Sequence, residues 1–331
     1  MKLPLVSILI PAYNRAKIIL ETLNSAVNQT YKNIEIIVVD NKSTDNTFET
    51  IKEFAKSYPN VKVYQNEENI GPVRNWRKCL DYATGEYVKI LWSDDLIAPT
   101  FIEKTLPYLI EHEDMGFVFT GTEIFNDDTG QRTKTYFIGN TGIYDTAKFI
   151  ESSLLGGPLP VPVSPGNALF RKKDIEKNLI IDIPNKIGSD FKMHAIGNDV
   201  LIYLLTAKDY PKFAFINETL SFFRAHKDSI TISSDTSKLS TLYNVAKAHF
   251  VENHLVDDKV RRKFNSRLLG FILLQRKNIK IKKVEDFYTK SSKVYLDYLF
   301  LGKLAFKKLL IISYLFGRKL LLLPMRKQLM G

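Results

Sequence analysis

Along the first 120 residues the hydrophobic positions fall into two alternating periods. Leu5–Ile10 is a continuous apolar run, Ile18–Val27 carries apolar residues at helical spacing, and Ile34–Val39 is a second apolar run that closes on Asp40. Asn46 and Glu49 have the spacing of a capping box, which predicts a helix from there to about Lys56. Val61–Tyr64 reads as a short strand, Arg74–Tyr82 as a helix, and Tyr87–Trp92 as a strand ending in Ser93-Asp94-Asp95. Apolar, β-branched strands alternating with helices predict βαβ units, hence a Rossmann-like α/β fold with a mostly parallel sheet flanked by helices. Beyond Gly121 the pattern loosens. Asn126–Gly130 is rich in turn residues, and Leu155–Gly166 is crowded with Gly and Pro, as expected of a long shaped loop. Strand signals return at Ala168–Phe170 and Phe213–Ile216, and from Thr236 the sequence turns helical and increasingly basic. This divides the chain into an α/β domain over 1–235 and a helical, basic region over 236–331.

The composition, 45% apolar and 25% charged in 331 residues, is that of a globular protein able to bury a large core. The single cysteine, Cys79, cannot form an internal disulfide, and the apolar run at the N-terminus ends at Pro11 without a small-residue cleavage site. Both point to the cytoplasm. The net charge of +11 would suggest a nucleic-acid partner were it spread evenly, but Val251–Gly331 holds 19 Lys plus Arg against 6 Asp plus Glu, which leaves residues 1–250 near −2. From Leu301 onward there are 7 Lys plus Arg and no acid. The longest uncharged stretch there, Leu309–Gly317, has nine residues, too few to cross about 30 Å of hydrocarbon. Leu320–Leu323 follows after two cations. Such a segment suits a helix lying on an anionic membrane surface, at the inner face of the plasma membrane, or one packed on the protein with its cations at the rim. Aromatic and basic residues form no stacking pattern, which argues against nucleic acid.

Ligands of an open parallel sheet bind at the carboxyl ends of its strands. Tyr13 and Asn14 follow the first strand, Asp40 the second, and Asp94 with Asp95 the one ending at Trp92. An aspartate after a strand is an ordinary helix cap. Carboxylates gathered from successive strand ends repel one another, however, unless donors or a cation compensate. Asp94 and Asp95 offer the hard oxygens that Mg²⁺ or Mn²⁺ takes when it also holds phosphate. No G-x-G-x-x-G follows the first strand and no G-x-x-x-x-G-K-[ST] occurs, which removes the main support for a dinucleotide oxidoreductase or a P-loop phosphotransferase. Pro11-Ala12-Tyr13-Asn14-Arg15 offers instead an aromatic ring suited to a base or ribose.

Four ordered segments carry a family resemblance: Val6–Arg15, Val38–Asp45, Asn69–Asn75 and Gly85–Asp95. Together they resemble the family 2 glycosyltransferases of the GT-A fold. The resemblance implies a nucleotide-sugar donor, commonly linked to UDP, a divalent cation (Mn²⁺ or Mg²⁺) and an inverting displacement. It also makes plausible a glycan or lipid-linked saccharide acceptor, as in bacterial cell-surface polysaccharide synthesis. Carried over by motif, Pro11, Tyr13 and Asn14 line the nucleotide pocket, Asp40 accepts a hydrogen bond from the base, and Arg74 lies near the donor. Asp94 falls near ribose and metal, and Asp95 is the metal ligand. Two positions depart from the family pattern: Asn41 stands where Asp is usual, and Trp92 where the first acid of the D-x-D-D block belongs. Gly197-Asn198-Asp199-Val200-Leu201 resembles the segment that supplies the acceptor-activating base, with Asn198 where Glu is common. That makes Asp199 the base, with Asp190 as second candidate. Phe223–Ile230 resembles the family's R-x-H segment, placing His226 near metal or phosphate and the planar donors of Arg224 at the leaving diphosphate. Two other readings stay open. A sugar nucleotidyltransferase should carry a Gly- and Arg-rich phosphate loop after the first strand, which Pro11–Arg15 is not. A non-catalytic nucleotide-sugar binding protein is suggested by Asn41, Trp92 and Asn198 replacing acids.

Overall fold

The computed structural model describes residues 3–226, 229, 235–275, 281–290 and 293–306. Leu309–Gly317 and Leu320–Leu323, on which the membrane-surface expectation rests, lie outside the described residues. Among the described residues no helix is long and apolar enough to cross a membrane.

The chain opens with β1 (Val6–Ala12), α1 (Ile19–Val27), β2 (Ile34–Asp40), α2 (Thr47–Ala55), β3 (Val61–Gln65), α3 (Pro72–Tyr82) and β4 (Tyr87–Ile90). β1 and β2 are buried at every position, which is why they read as apolar runs, interrupted only by Ser7 and Glu35 before the closing Asp40, instead of alternating ones. β1 pairs in parallel with β2 and β4, and β2 with β3; the register sets Ala12 beside Asp40 and Leu9 beside Ile90. The carboxyl ends of these strands therefore meet at one edge. Then follow β5 (Leu96–Ile97), α4 (Phe101–Glu111), β6 (Met115–Phe125), β7 (Arg132–Thr135), β8 (Gly142–Asp145), α5 (Thr146–Leu155), β9 (Ala168–Arg171), α6 (Lys172–Asn178), α7 (Phe191–His194), α8 (Asn198–Asp209) and β10 (Lys212–Arg224). Two long helices follow, α9 (Thr236–Asn253) and α10 (Asp258–Gln275), before a short turn at Val284–Phe287 and a last helical stretch over 298–306.

The expected α/β class is found, as one ten-stranded sheet in the order β3-β2-β1-β4-β9-β6-β10-β5, with β7 on β6 and β8 on β10. Parallel pairing covers β3-β2-β1-β4 and β6 with β10; β9 runs antiparallel between β4 and β6, and β5, β7 and β8 are antiparallel additions. These additions are two to four residues long, too short to show a period. The capping box expected at Asn46 and Glu49 is not formed, since Asn46 makes no side-chain cap. Asp45 accepts from Thr47 N at 3.0 Å and from Ala16 N at 3.2 Å. A carboxylate that serves two loops at once displaces an amide that could serve only the helix.

On one face of the sheet Phe117, Phe119, Phe149, Phe170, Phe213 and Phe215 pack with Tyr203. Their tilted and edge-on contacts, such as Phe117–Phe149 at 5.1 Å, each add about 0.5–1.5 kcal/mol beyond area burial. A separate apolar cluster joins Leu154 of α5 and Leu201 and Leu204 of α8 to Leu242 and Val245 of α9 and Phe264 and Leu268 of α10. The helices after residue 235 are thus seated on the helices of the α/β core.

One buried charge stitches the amino ends of the parallel strands. Glu35 in β2 accepts from Ser7 Oγ at 2.6 Å, Thr84 N at 2.6 Å, Gly85 N at 3.1 Å and Lys62 Nζ at 2.7 Å. Burial alone would raise its pKa; the hydrogen bonds from Lys62, Ser7 and Thr84 outweigh it and hold the carboxyl down to about 2. A lowered folded-state pKa contributes stability that is full above the unfolded value near 4.3 and is lost as pH falls toward 2. Glu35→Gln should lower stability at pH 7 by about 1–3 kcal/mol and flatten the loss of stability between about pH 5 and 2. Urea melts of both proteins at pH 7 and pH 3 check this; equal stability at pH 7 would remove the role given to Glu35.

Candidate active site at the carboxyl edge of the sheet

Two tight loops leave β1 and β2 side by side. Asn14 and Lys42 both adopt left-handed backbone, with φ of 52° and 60°, a strained state for residues with a Cβ that surrounding bonds must hold. Those bonds are present: Asn14 N donates to Ser43 Oγ at 2.9 Å, Thr44 N to Asn14 Oδ1 at 2.9 Å, and Asn41 N to Ala12 O at 2.8 Å. Asp40 is fully buried and accepts from Ser43 N at 3.0 Å, Gln65 Nε2 at 2.9 Å and Ser43 Oγ. Pro11 is buried near the end of β1, whereas the Tyr13 ring stands exposed at the edge. The amide at 41 has a local cause. Asn41 Nδ2 donates to Asn69 Oδ1 at 2.8 Å while its Oδ1 accepts from Asn66 Nδ2 at 2.9 Å and Ile70 N at 3.1 Å. A carboxylate could not make the first bond. Arg74 sits exposed in the first turn of α3, with Nη1 on Ile70 O at 3.3 Å.

The acidic turn after β4 is drawn together with the end of β10. Asp94 Oδ2 meets His226 Nε2 at 2.9 Å and Arg15 Nη2 at 3.4 Å. Although burial opposes it, the His226 bond and the Arg15 charge hold Asp94 below the usual carboxylate range. Asp95 behaves oppositely: burial, then the neighbouring Asp94, push its carboxyl well up, despite a 2.9 Å bond from Arg224 N. Arg224 is spent on the protein. Its Nε donates to Asp94 O at 3.0 Å, Nη2 to Glu21 at 2.7 Å, Nη1 to Asp127, and its plane lies over Phe125. It braces the turn, and the guanidinium turned toward Asp94 is that of Arg15, whose Nε is buried without a partner. Arg15 belongs to the Pro11–Arg15 loop, but its sequence context did not single it out.

Asp199 lies in the first turn of α8 and is buried. Its Oδ1 accepts from Val200 N at 2.8 Å and Gly197 N at 3.1 Å, and its Oδ2 from Tyr243 Oη at 2.8 Å. Burial raises its pKa and these three donors restrain the rise, leaving it at about 6. Tyr243 comes from α9, 44 residues downstream, and no sequence signal announces it. Tyr136, another left-handed residue with φ 62°, is pushed up to about 12 by burial and by the Asp199 charge. Asp190 lies exposed ahead of α7 and makes no cap to that helix. Gly197 makes the geometry possible, with φ +106° and a backbone so close to α9 that an added Cβ would stand 2.7 Å from Ala246 Cβ.

The turn Pro165–Asn167, at the end of the Gly- and Pro-rich loop, ties β4 to α8. Trp92 Nε1 donates to Ser164 Oγ at 2.8 Å, the buried Lys89 Nζ to Gly166 O, and Tyr203 Oη to Asn167 Oδ1 at 2.7 Å. Burial draws the Lys89 amine down to about 7, with Asp95 pulling the other way. Trp92 thus replaces an acid with an anchor for this loop.

The donor set is compatible with a divalent cation. Burial and then the neighbouring Asp94 push the Asp95 carboxyl up, a repulsion between the two that a cation would relieve, and His226 adds an imidazole nitrogen beside Asp94. Among the described residues no group of three or more His, Cys, Asp or Glu is arranged to hold a metal unaided. Phosphate oxygens would have to complete the shell, as is usual for Mg²⁺.

The α/β sheet carries acidic and aromatic residues at its carboxyl edge, and comparison makes the family explicit. The model of glycosyl transferase family 2 matches residues 7–179. The chain belongs to that family. The minor teichoic acid biosynthesis protein GgaB of Bacillus subtilis is 27% identical over 254 residues, 76% of this chain and 26% of that protein. The putative teichuronic acid biosynthesis glycosyltransferase TuaG of the same organism is 32% identical over 153 residues, 46% of this chain and 60% of that one. The chain thus matches less than two thirds of the length of either relative. Residues 1–349 of Staphylococcus aureus TarS, in a crystal structure with UDP-GlcNAc, superpose with a TM-score of 0.60 at 19% identity, covering 86% of this chain and 78% of that one. That likeness establishes the GT-A fold.

Gly197→Val should destabilise the protein by about 2–4 kcal/mol, since it adds left-handed strain to a collision with α9. A thermal melt compared with wild type measures this; an unchanged melting temperature would mean that α8 and α9 are not held as close as described.

Proposed function

We propose that the chain transfers a sugar, with inversion, from a UDP-linked donor to a glycan or lipid-linked acceptor during synthesis of a bacterial cell-surface polysaccharide. One observation carries this reading: two carboxylate centres are pushed in opposite directions by their surroundings, Asp94 toward the anion and Asp199 toward a pKa of about 6. Such a split suits one group to an electrostatic task and the other to proton transfer. The relatives named for teichoic and teichuronic acid biosynthesis support an acidic polysaccharide product, and the fold shared with a UDP-GlcNAc complex supports the donor class. The basic tail from Leu301 supports a place at an anionic inner membrane surface.

In this mechanism Pro11, Tyr13, Asn14 and Asp40 receive the nucleoside, with Arg74 flanking the donor. The acceptor oxygen attacks the anomeric carbon opposite the diphosphate; the new C–O bond forms as the bond to the diphosphate oxygen breaks, and the hydroxyl proton passes to Asp199. Tyr243 and the two backbone N–H groups keep that carboxylate oriented. Arg15 offers positive charge and His226 a ring nitrogen on the leaving side, while Arg224 holds the Asp94–Asp95 turn in shape. A divalent cation held by Asp95 and Asp94 beside His226 would neutralise the charge gathering on the departing diphosphate.

Asp199→Asn should lower transfer by about 10²–10⁴-fold, the range of a lost general base, while leaving calorimetric UDP binding intact. Asp95→Asn should instead weaken UDP binding in the presence of Mn²⁺. Full transfer by both variants would sink the assignment. Pyrophosphate release from a nucleoside triphosphate and a sugar phosphate would favour the nucleotidyltransferase reading, and donor binding without any transfer the binding-protein reading.

Because the base must be ionised, kcat/KM should rise with pH through about 6. Tyr243 donates to the charged form, so Tyr243→Phe should move that limb to higher pH. Rate profiles between pH 5 and 8 test this, and a limb that stays in place would separate Tyr243 from the base.

A further inference from the structure

Two cations of the C-terminal helices have no part in the reaction just described. Lys247 follows Tyr243 by four residues on α9, so both occupy one helix face about a turn apart, about 6 Å along the axis. Tyr243 grips the Asp199 carboxylate at 2.8 Å. Lys247 Nζ spends one of its three protons on Ser153 O at 2.5 Å. Arg267 of α10 is partly buried, and it makes no hydrogen bond or ion pair with the described residues. Its guanidinium lies across Gly156, the left-handed residue that ends α5 (φ +65°), where a Cβ would collide with Nη1. Lys263, one turn earlier on α10, pairs with Glu151 at 3.2 Å, so this surface supplies an acid where only neutralisation is wanted. Ser153 Oγ, beside the Lys247 contact, is buried without a partner.

The carbonyl end of α5 accounts for one cation, through a partial charge of about half an electron. It does not account for two, because like charges withdrawn from water repel and each depresses ionisation of the other. The Lys247 amine is drawn down to about 8 by burial and then by Arg267, with Asp199 acting in the opposite sense. An oxyanion between the cations would relieve the repulsion and give the Ser153 hydroxyl an acceptor.

We propose that Lys247, Arg267 and Ser153 form a subsite for an oxyanion borne by the acceptor, a phosphate ester or a carboxylate, next to the hydroxyl that Asp199 deprotonates. The proposal rests on the reading of Asp199 as the base. It makes the enzyme select acidic acceptors over neutral ones, and it assigns that selection to the helices after residue 235.

The test uses the full chain and calorimetry at fixed ionic strength, with glycerol 3-phosphate and glucuronate as probes and glycerol and glucose as neutral controls. Wild type should bind at least one anion and neither control, and the tighter anion tells phosphate from carboxylate. Arg267→Gln should weaken that binding at least tenfold, Ser153→Ala several-fold, and Lys263→Gln not at all. Ser153→Ala removes a single unbonded hydroxyl, so it keeps the test open should Arg267→Gln fold poorly. The idea is overturned by absence of anion binding to wild type, by unchanged anion affinity in Arg267→Gln with a lowered melting temperature, or by displacement of the anion by UDP. UDP affinity is measured on the same proteins and should be equal in wild type and Arg267→Gln. Loss of UDP binding in wild type would refute the donor reading while the acceptor subsite stood on its own result.

Discussion

The arrangement of this site depends on the way the Pro165–Asn167 turn is gripped from both sides. Lys89 of β4 and Trp92 just beyond it hold it from one side, and Tyr203 holds it from α8. Asn167 also donates to Thr120 O and Thr122 Oγ1 of β6, both at 3.1 Å. Pro165, Gly166 and Asn167 are all buried, so losing one of the buried bonds of Asn167 would strand a desolvated group at roughly 1–3 kcal/mol. The turn is consequently a rigid link between the strand that ends in Asp94–Asp95 and the helix that carries Asp199.

Rigidity of that kind lets electrostatics be tuned. Asp94, Asp95 and Asp199 are all aspartates with the same intrinsic acidity, yet their surroundings separate them. Asp94 has a histidine and an arginine within reach, Asp95 has Asp94 beside it, and Asp199 has only neutral donors in a buried place. Arg224 is drawn inward to four acceptors or aromatic contacts and stiffens the turn, which leaves Arg15 as the cation on its open side.

The helices after residue 235 take part in this tuning as well as in the fold. The apolar cluster uniting α5, α8, α9 and α10 fixes α9 against Asp199, so that one helix face brings Tyr243 to that carboxylate and Lys247 to Ser153 O of α5. Gly197 permits the contact, because no larger residue fits under Ala246. Packing between α8 and α9 thereby sets the surroundings, and with them the raised pKa, of Asp199.

What could be read along the chain was whatever a short stretch decides alone. Strands buried on both faces are predominantly apolar, so β1, β2 and β4 were legible despite Ser7, Glu35 and Lys89, and with them the strand ends that carry Tyr13, Asp40, Asp94 and Asp95. Asp199 and His226 were legible through their neighbours in sequence. Short antiparallel strands such as β7 and β8 were not, because four residues cannot display a period. Nor could sequence tell that Arg224 would turn inward, that Arg15 would face Asp94, or that Asp45 would displace Asn46 as the cap. Each of those outcomes is a competition between partners distant in the chain, settled by which acceptor the packed structure brings within 3 Å or so. The sequence alone therefore determined the fold class and the chemistry available at the sheet edge. Only the tertiary structure decided which charges meet, because pKa and hydrogen bonding depend on burial and neighbours that no linear spacing records.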